Sequence, residues 1–152
     1  MRISAKAEYA VRAAVELAAA DGEKPLKAAK IAEAQEIPLP FLENLMGDLR
    51  QAGVVRSHRG PEGGFALDRP ASEITIADVI RAVDGPLASI RGDRPERTSY
   101  SGAAEPLTRV WIAVRASLRA VLEATTLQDV VSGRLPAPVQ ALADDPDAWQ
   151  RR

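Results

Sequence analysis

Leu42, Leu45, Met46 and Leu49 recur at i, i+3, i+4 and i+7, a spacing that lines one side of an α-helix. Pro38 and Pro40 mark the start of that helix, where proline is tolerated because the first backbone N–H groups have no intrahelical partner, and Gly53 supplies the stop. Two short β-like runs follow at once, Val54–Arg59 and Phe65–Leu67, separated by Gly60-Pro61-Glu62-Gly63-Gly64, the grammar of a hairpin. Upstream, Ser4 can cap a first helix over 4–20 that carries Tyr9, Val11, Ala13, Ala14, Leu17 and Ala18 and stops at Asp21-Gly22. Pro25 then opens a short helix from Leu26 to Ala34 with Ile31 and Ala32 on its apolar side, and Gln35 to Pro38 make a turn. A fourth helix, Thr75 to Val83, places Ile76, Val79, Ile80 and Val83 on one face and ends at Asp84-Gly85-Pro86. Helix, short helix, helix, hairpin predicts a winged helix-turn-helix over 1–86, a mainly α fold with a small β-hairpin wing.

The rest of the chain reads differently. Residues 87–104 are polar and rich in arginine, glycine and serine, which predicts a flexible loop. Pro106 opens a long helix whose Leu107, Val110, Trp111, Val114, Leu118, Val121 and Leu122 keep to one face. That stripe exceeds what a domain of residues 1–86 needs for its own core, so dimerisation with a second copy is expected; burial against the first helix is the other place for it. Thr125 to Val131 form a short capping helix, closing a dimerisation segment over 105–135, and 136–152 read as a Pro- and Asp-rich tail.

Composition narrows function by exclusion. The sequence holds no cysteine, which removes disulfides, thiolate metal sites, cysteine nucleophiles and cysteine-ligated clusters, and one histidine, His58, removes any site needing two imidazoles. No paired carboxylates or nucleophile–base pair stands out, so the chain reads as neither an enzyme nor a cofactor or metal protein. Net charge is −1, and residues 1–70 carry ten Lys/Arg against ten Asp/Glu, so a DNA-binding face has to be local. No apolar run approaches the roughly 18 residues of a membrane span, and the start is unlike a secretory signal; a cytoplasmic location away from membranes is expected.

In a helix-turn-helix the second helix turns its polar side to base edges. With the leucine stripe inward, Pro40, Asn44, Gly47 and Gln51 lie opposite it, flanked by Phe41, Glu43, Asp48 and Arg50. Asn or Gln can pair with adenine, Glu can accept from cytosine N4, and a phenylalanine ring can meet a thymine methyl. Arg56, His58 and Arg59 precede the glycine-rich turn beginning at Gly60, which suits a wing at a groove edge, with Arg59 the leading backbone contact. Ser4 and Lys6, at the start of the first helix, complete the expected DNA-binding set. The same exposed face also fits a winged-helix module that binds protein rather than DNA. Gly60 to Gly64 is not a nucleotide-phosphate loop, because no Lys-Ser/Thr follows and a strand comes next.

The stretch from Ile37-Pro38-Leu39-Pro40-Phe41-Leu42-Glu43-Asn44-Leu45 through Arg59-Gly60-Pro61-Glu62-Gly63-Gly64-Phe65-Ala66-Leu67 resembles the Rrf2 regulator family. The likeness extends from Arg2 to Ala10, through Ile74-Thr75-Ile76 and Val79 to Gly85, to Trp111 and Thr126-Leu127. It implies a winged-helix homodimer on double-stranded DNA, a long crossing helix, and DNA contacts at Pro40, Phe41, Glu43 and Arg59. Relatives often carry a hydroxyl-bearing residue at the place of Pro40 and tyrosine at that of Phe41; Glu43 and Arg59 match unchanged. Cluster-binding members place three cysteines between the fourth helix and the long helix, where Ile90 to Pro106 contain none. Glu8 matches a position that supplies a carboxylate ligand in some members, and without the cysteines a structural salt bridge is expected there instead. A small-molecule or protein effector stays open.

Overall fold

The structure, a computed structural model, describes residues 1–20 and 24–151, so the expected stop at Asp21-Gly22 lies outside the described residues. Helix α1 spans Ala5–Ala19, and the Ser4 hydroxyl caps it by accepting the Ala7 N–H at 2.9 Å while donating to Asp84. Ala7, Ala10, Ala13 and Ala14 are fully buried, and their small side chains let neighbouring helices approach closely. Helix α2 is Ala28–Gln35, ended by Glu36 in the left-handed conformation at φ 52°. Arg12 reaches across from α1 to donate to Gln35 Oε1 at 3.0 Å and to the Gln35 carbonyl, fastening the two helices where the turn begins.

Leu26, expected inside α2, is extended instead. Its N–H donates to the Phe65 carbonyl and its carbonyl accepts from the Phe65 N–H, each at 2.8 Å, so it forms a one-residue third strand beside the wing. Lys27, the N-cap, makes no side-chain capping bond, so the helix start two residues later is set by that pairing and not by a local cap.

Helix α3 is Leu39–Gln51, with Leu42, Leu45, Met46 and Leu49 all buried, as the spacing predicts. Strands β1 (Val55–His58) and β2 (Gly64–Leu67) pair antiparallel, with Val55 opposite Leu67 and His58 opposite Gly64. Gly64 has φ +150°, and a Cβ there would stand 2.4 Å from the Leu26 carbonyl oxygen, so only glycine lets the two backbones meet. Helix α4, Ile76–Asp84, begins with a capping box: the Asp78 N–H donates to Thr75 Oγ1 at 3.1 Å and the Thr75 N–H donates to Asp78 Oδ2 at 3.0 Å. It packs on α1 and α3 through Ile76, Val79 and Val83.

Residues 87–104 carry two single 3₁₀ turns, Pro95–Arg97 and Gly102–Ala104, and bury Leu87 and Pro95. The segment is fastened to helix α5 (Leu107–Leu122) by Thr108 Oγ1 donating to the Thr98 carbonyl and by the Trp111 indole donating to the Tyr100 hydroxyl, each at 3.0 Å. No side chain of α5 is buried. The chain then doubles back into α6, Leu127–Ser132, capped by Thr126 and Asp129. Leu127 is fully buried in the core, while the Leu127 N–H donates to the Ile74 carbonyl and the Ile76 N–H to the Thr125 carbonyl, both at 2.9 Å. Helix α6 packs on α1. The Pro- and Asp-rich tail, for which no helix was expected, holds helix α7 (Ala137–Asp144) with Val139 buried. Its Pro136 and Pro138 stand at the start just as Pro38 and Pro40 do on α3, a signal that the nearby aspartates obscured.

Candidate nucleic-acid interface

Burying the leucine stripe of α3 fixes what the helix shows to solvent. Pro40, Phe41, Glu43, Asn44 and Gln51 are exposed, and Gly47 and Asp48 are half-buried at the edge. No ion pair or side-chain hydrogen bond within the described residues engages Glu43, Asn44 or Gln51, so their polar atoms are open to an outside partner. Phe41 is 40% exposed and stands edge-to-face on Tyr9, ring centroids 5.6 Å apart, while the Arg12 guanidinium lies 5.3 Å from the Tyr9 ring centre. Tyr9, read at the sequence level only as a core residue of the first helix, therefore fixes the angle at which Phe41 projects.

The wing adds cations. On β1, Val55 faces the core while Arg56, Ser57 and His58 are exposed, and Arg59 follows them at the turn. Arg56, His58 and Arg59 form no ion pair among the described residues. Gly60 sits at φ +98°, and its carbonyl accepts the Gly63 N–H at 2.9 Å, which closes the tip into a tight turn with little side-chain bulk. Sequence reasoning passed over Lys24, Lys27 and Lys30, which are exposed around the first turn of α2. Their three-residue spacing was the available signal; the Leu26–Phe65 pairing that brings this turn beside the wing was not readable from the sequence.

Ser4 and Lys6, expected among the DNA contacts, are held at the joint between α1, α3 and α4. Ser4 is engaged with the Ala7 amide and with Asp84. The Lys6 ammonium lies 2.8 Å from Asp48 and donates to the Val83 carbonyl at 3.0 Å. Glu8 makes the expected structural pair, with Arg12 one helical turn away at 3.2 Å. Of the dimerisation set, Leu107 and Val110 are exposed, Val110 at 48%, and Trp111, Val114, Leu118, Val121 and Leu122 are half-buried.

A family model described as Rrf2, "Iron-dependent Transcriptional regulator", matches residues 3–133. A protein of Mycobacterium tuberculosis (strain ATCC 25618 / H37Rv), Rv1287, named as an HTH-type transcriptional regulator, is 56% identical over 149 residues, covering 95% of this chain and 90% of that one. The HTH-type transcriptional regulator CymR of Bacillus subtilis (strain 168) is 36% identical over 133 residues, covering 87% of this chain and 91% of its own. The solved structure of CymR, titled the global cysteine regulator of B. subtilis, superposes with a TM-score of 0.74 at 34% identity over 88% of this chain and 98% of that one. The structure of T. potens IscR superposes with a TM-score of 0.69 at 32% identity, covering 100% of this chain and 93% of that one. The word iron in the family description does not fit the donors present. This sequence has no cysteine, and among the described residues no three His, Asp or Glu side chains come together as a metal site.

Proposed function

The chain belongs to the Rrf2 family, as a winged-helix DNA-binding transcriptional regulator and not an enzyme, and from that premise we propose that it acts as a homodimer on a palindromic operator in the bacterial cytoplasm. Residues 1–86 are the DNA-binding domain, 87–104 the connecting loop and 105–135 the dimerisation segment. The observation that carries this reading is the division of α3 into a buried leucine stripe and an exposed face where Glu43, Asn44 and Gln51 have no partner. Base readout falls to Glu43, Asn44, Gln51 and the Phe41 ring, with Pro40 at the helix start; phosphate contact falls to Arg59, His58 and the backbone at Gly60. Lys27 and Lys30 join as a second phosphate-contacting group beside the wing.

The apolar face of α5 supports the homodimer. On that face Leu107 and Val110 are exposed, Val110 at 48%, and the rest of the stripe is only half-buried. Two copies joined there would present two recognition helices related by a two-fold axis, and the operator would share that symmetry. The effector is not a cysteine-ligated cluster, since the chain cannot ligate one. Selection of duplexes from a random pool, at stated salt, tests the reading. It is expected to return an inverted repeat whose affinity falls steeply as salt rises. Enrichment of no sequence, with a protein captured in its place, overturns it in favour of a protein-interaction module.

A further inference from the structure

Between the end of α4, the turn at Pro95–Arg97 and the middle of α5 lies a cavity of about 360 Å³. Four arginines reach its walls from three separate segments: Arg81 from α4, Arg94 from the loop, and Arg115 and Arg119 from successive turns of α5. Only two carboxylates stand against them. Glu96 pairs with Arg115, whose side chain is 15% exposed, and Glu123 is shared between Arg81 and Arg119, the latter at 3.7 Å. Arg94 has no ion pair within 4 Å among the described residues. Four guanidinium charges and two carboxylates leave about two positive charges unmatched. The carbonyl end of α4 near Gly85 offsets roughly half a charge of that excess.

The same field shows at Glu96. Its carboxyl is held below the ordinary glutamate range, first by its own backbone N–H and then by the Arg115 guanidinium, with Arg94 adding a smaller attraction. An arginine cluster that is paired with only two carboxylates, and still carries surplus charge, is suited to a further anion. Guanidinium forks match the planar oxygen pairs of carboxylate and the oxygens of phosphate.

We propose that this cavity binds a compact polyanion, a di- or tricarboxylate or a small phosphate compound, clamped by Arg94 and Arg119 with Arg115 and Arg81 behind them. The volume admits a small metabolite. Binding at this place bridges the helix-turn-helix unit, through α4, to the long helix. That bridge is where an effector would shift one relative to the other. The binding itself stands without the assignment of function above; only its effect on DNA rests on that reading.

The test is calorimetric titration of the full chain, without DNA, using citrate and inorganic pyrophosphate as probes, each at ionic strength matched with sodium chloride. Saturable binding of one probe per chain is expected, and the preferred probe tells carboxylate from phosphate. Arg94→Gln, which breaks no ion pair, is expected to weaken binding about tenfold. Glu96→Gln, which removes a competing negative charge, is expected to tighten it several-fold. Absence of saturation by both probes, or an affinity unchanged in Arg94→Gln with its fold confirmed by circular dichroism, overturns the proposal. Because no DNA is present, this failure is distinct from failure to select an operator.

Discussion

The Lys6 ammonium sits 2.8 Å from the Asp48 carboxylate, so the first helix is fastened to the edge of α3, the proposed readout helix. Both side chains are about 40% exposed, which limits the pair to at most about 1 kcal/mol of stability. Its larger effect is on charge: Asp48 places a negative group beside the readout face and occupies a cation that could meet a phosphate. Asp48→Asn is therefore expected to raise duplex affinity and to steepen the salt dependence by about one unit of slope. A fall in affinity would show that the pair orients α3 instead of restraining Lys6.

In the proposed complex with DNA, Glu43 and Arg59 divide the work of recognition. Glu43→Ala is expected to relax preference at one base position by about 1–3 kcal/mol while leaving non-specific binding intact. Arg59→Ala is expected to weaken binding to all sequences alike and to reduce the salt slope by about one. The double variant should lose operator retention in a gel shift while keeping its oligomeric state, and retention at the level of the parent protein would remove both residues from the interface.

Val110 is the most exposed large residue of the α5 stripe, at 48%. An aspartate there would have to be buried, unpaired, in any dimer formed through that face. Val110→Asp is expected to sediment as a monomer, with the winged-helix signal in circular dichroism retained and operator affinity much reduced. A dimer that survives this change joins through some other surface.

Leu127 fills the core from beyond the long helix, fully buried. Leu127→Ala is expected to cost about 2–5 kcal/mol of unfolding free energy, read from urea midpoints at an unchanged slope. A change below about 1 kcal/mol would mean that α6 is dispensable to the core.

Periodicity carried most of the fold. The stripes of α3 and α4 and the glycine-rich turn were readable because each is set by neighbours a few residues apart, and the exposed face of α3 followed from them by geometry. Contacts between distant segments were not readable in this way. Leu26 looked helical, and only the backbone of Phe65 makes it a strand; the hook of α6 behind Ile74 likewise depends on residues some 50 positions apart. In the candidate site, the identity of the outward residues was legible, whereas the internal engagement of Ser4 and Lys6 was not, because Asp84, Val83 and Asp48 are brought to them only by packing.

The pairing of Leu26 with Phe65, made possible by the missing Cβ at Gly64, joins the turn end of the wing's second strand to the entrance of α2. Wing and helices thus form a gauge of one fixed width, set before any duplex arrives. For the operator binding proposed above, tolerance for different sites would then come from DNA that bends to the gauge, not from a hairpin that swings to meet each one.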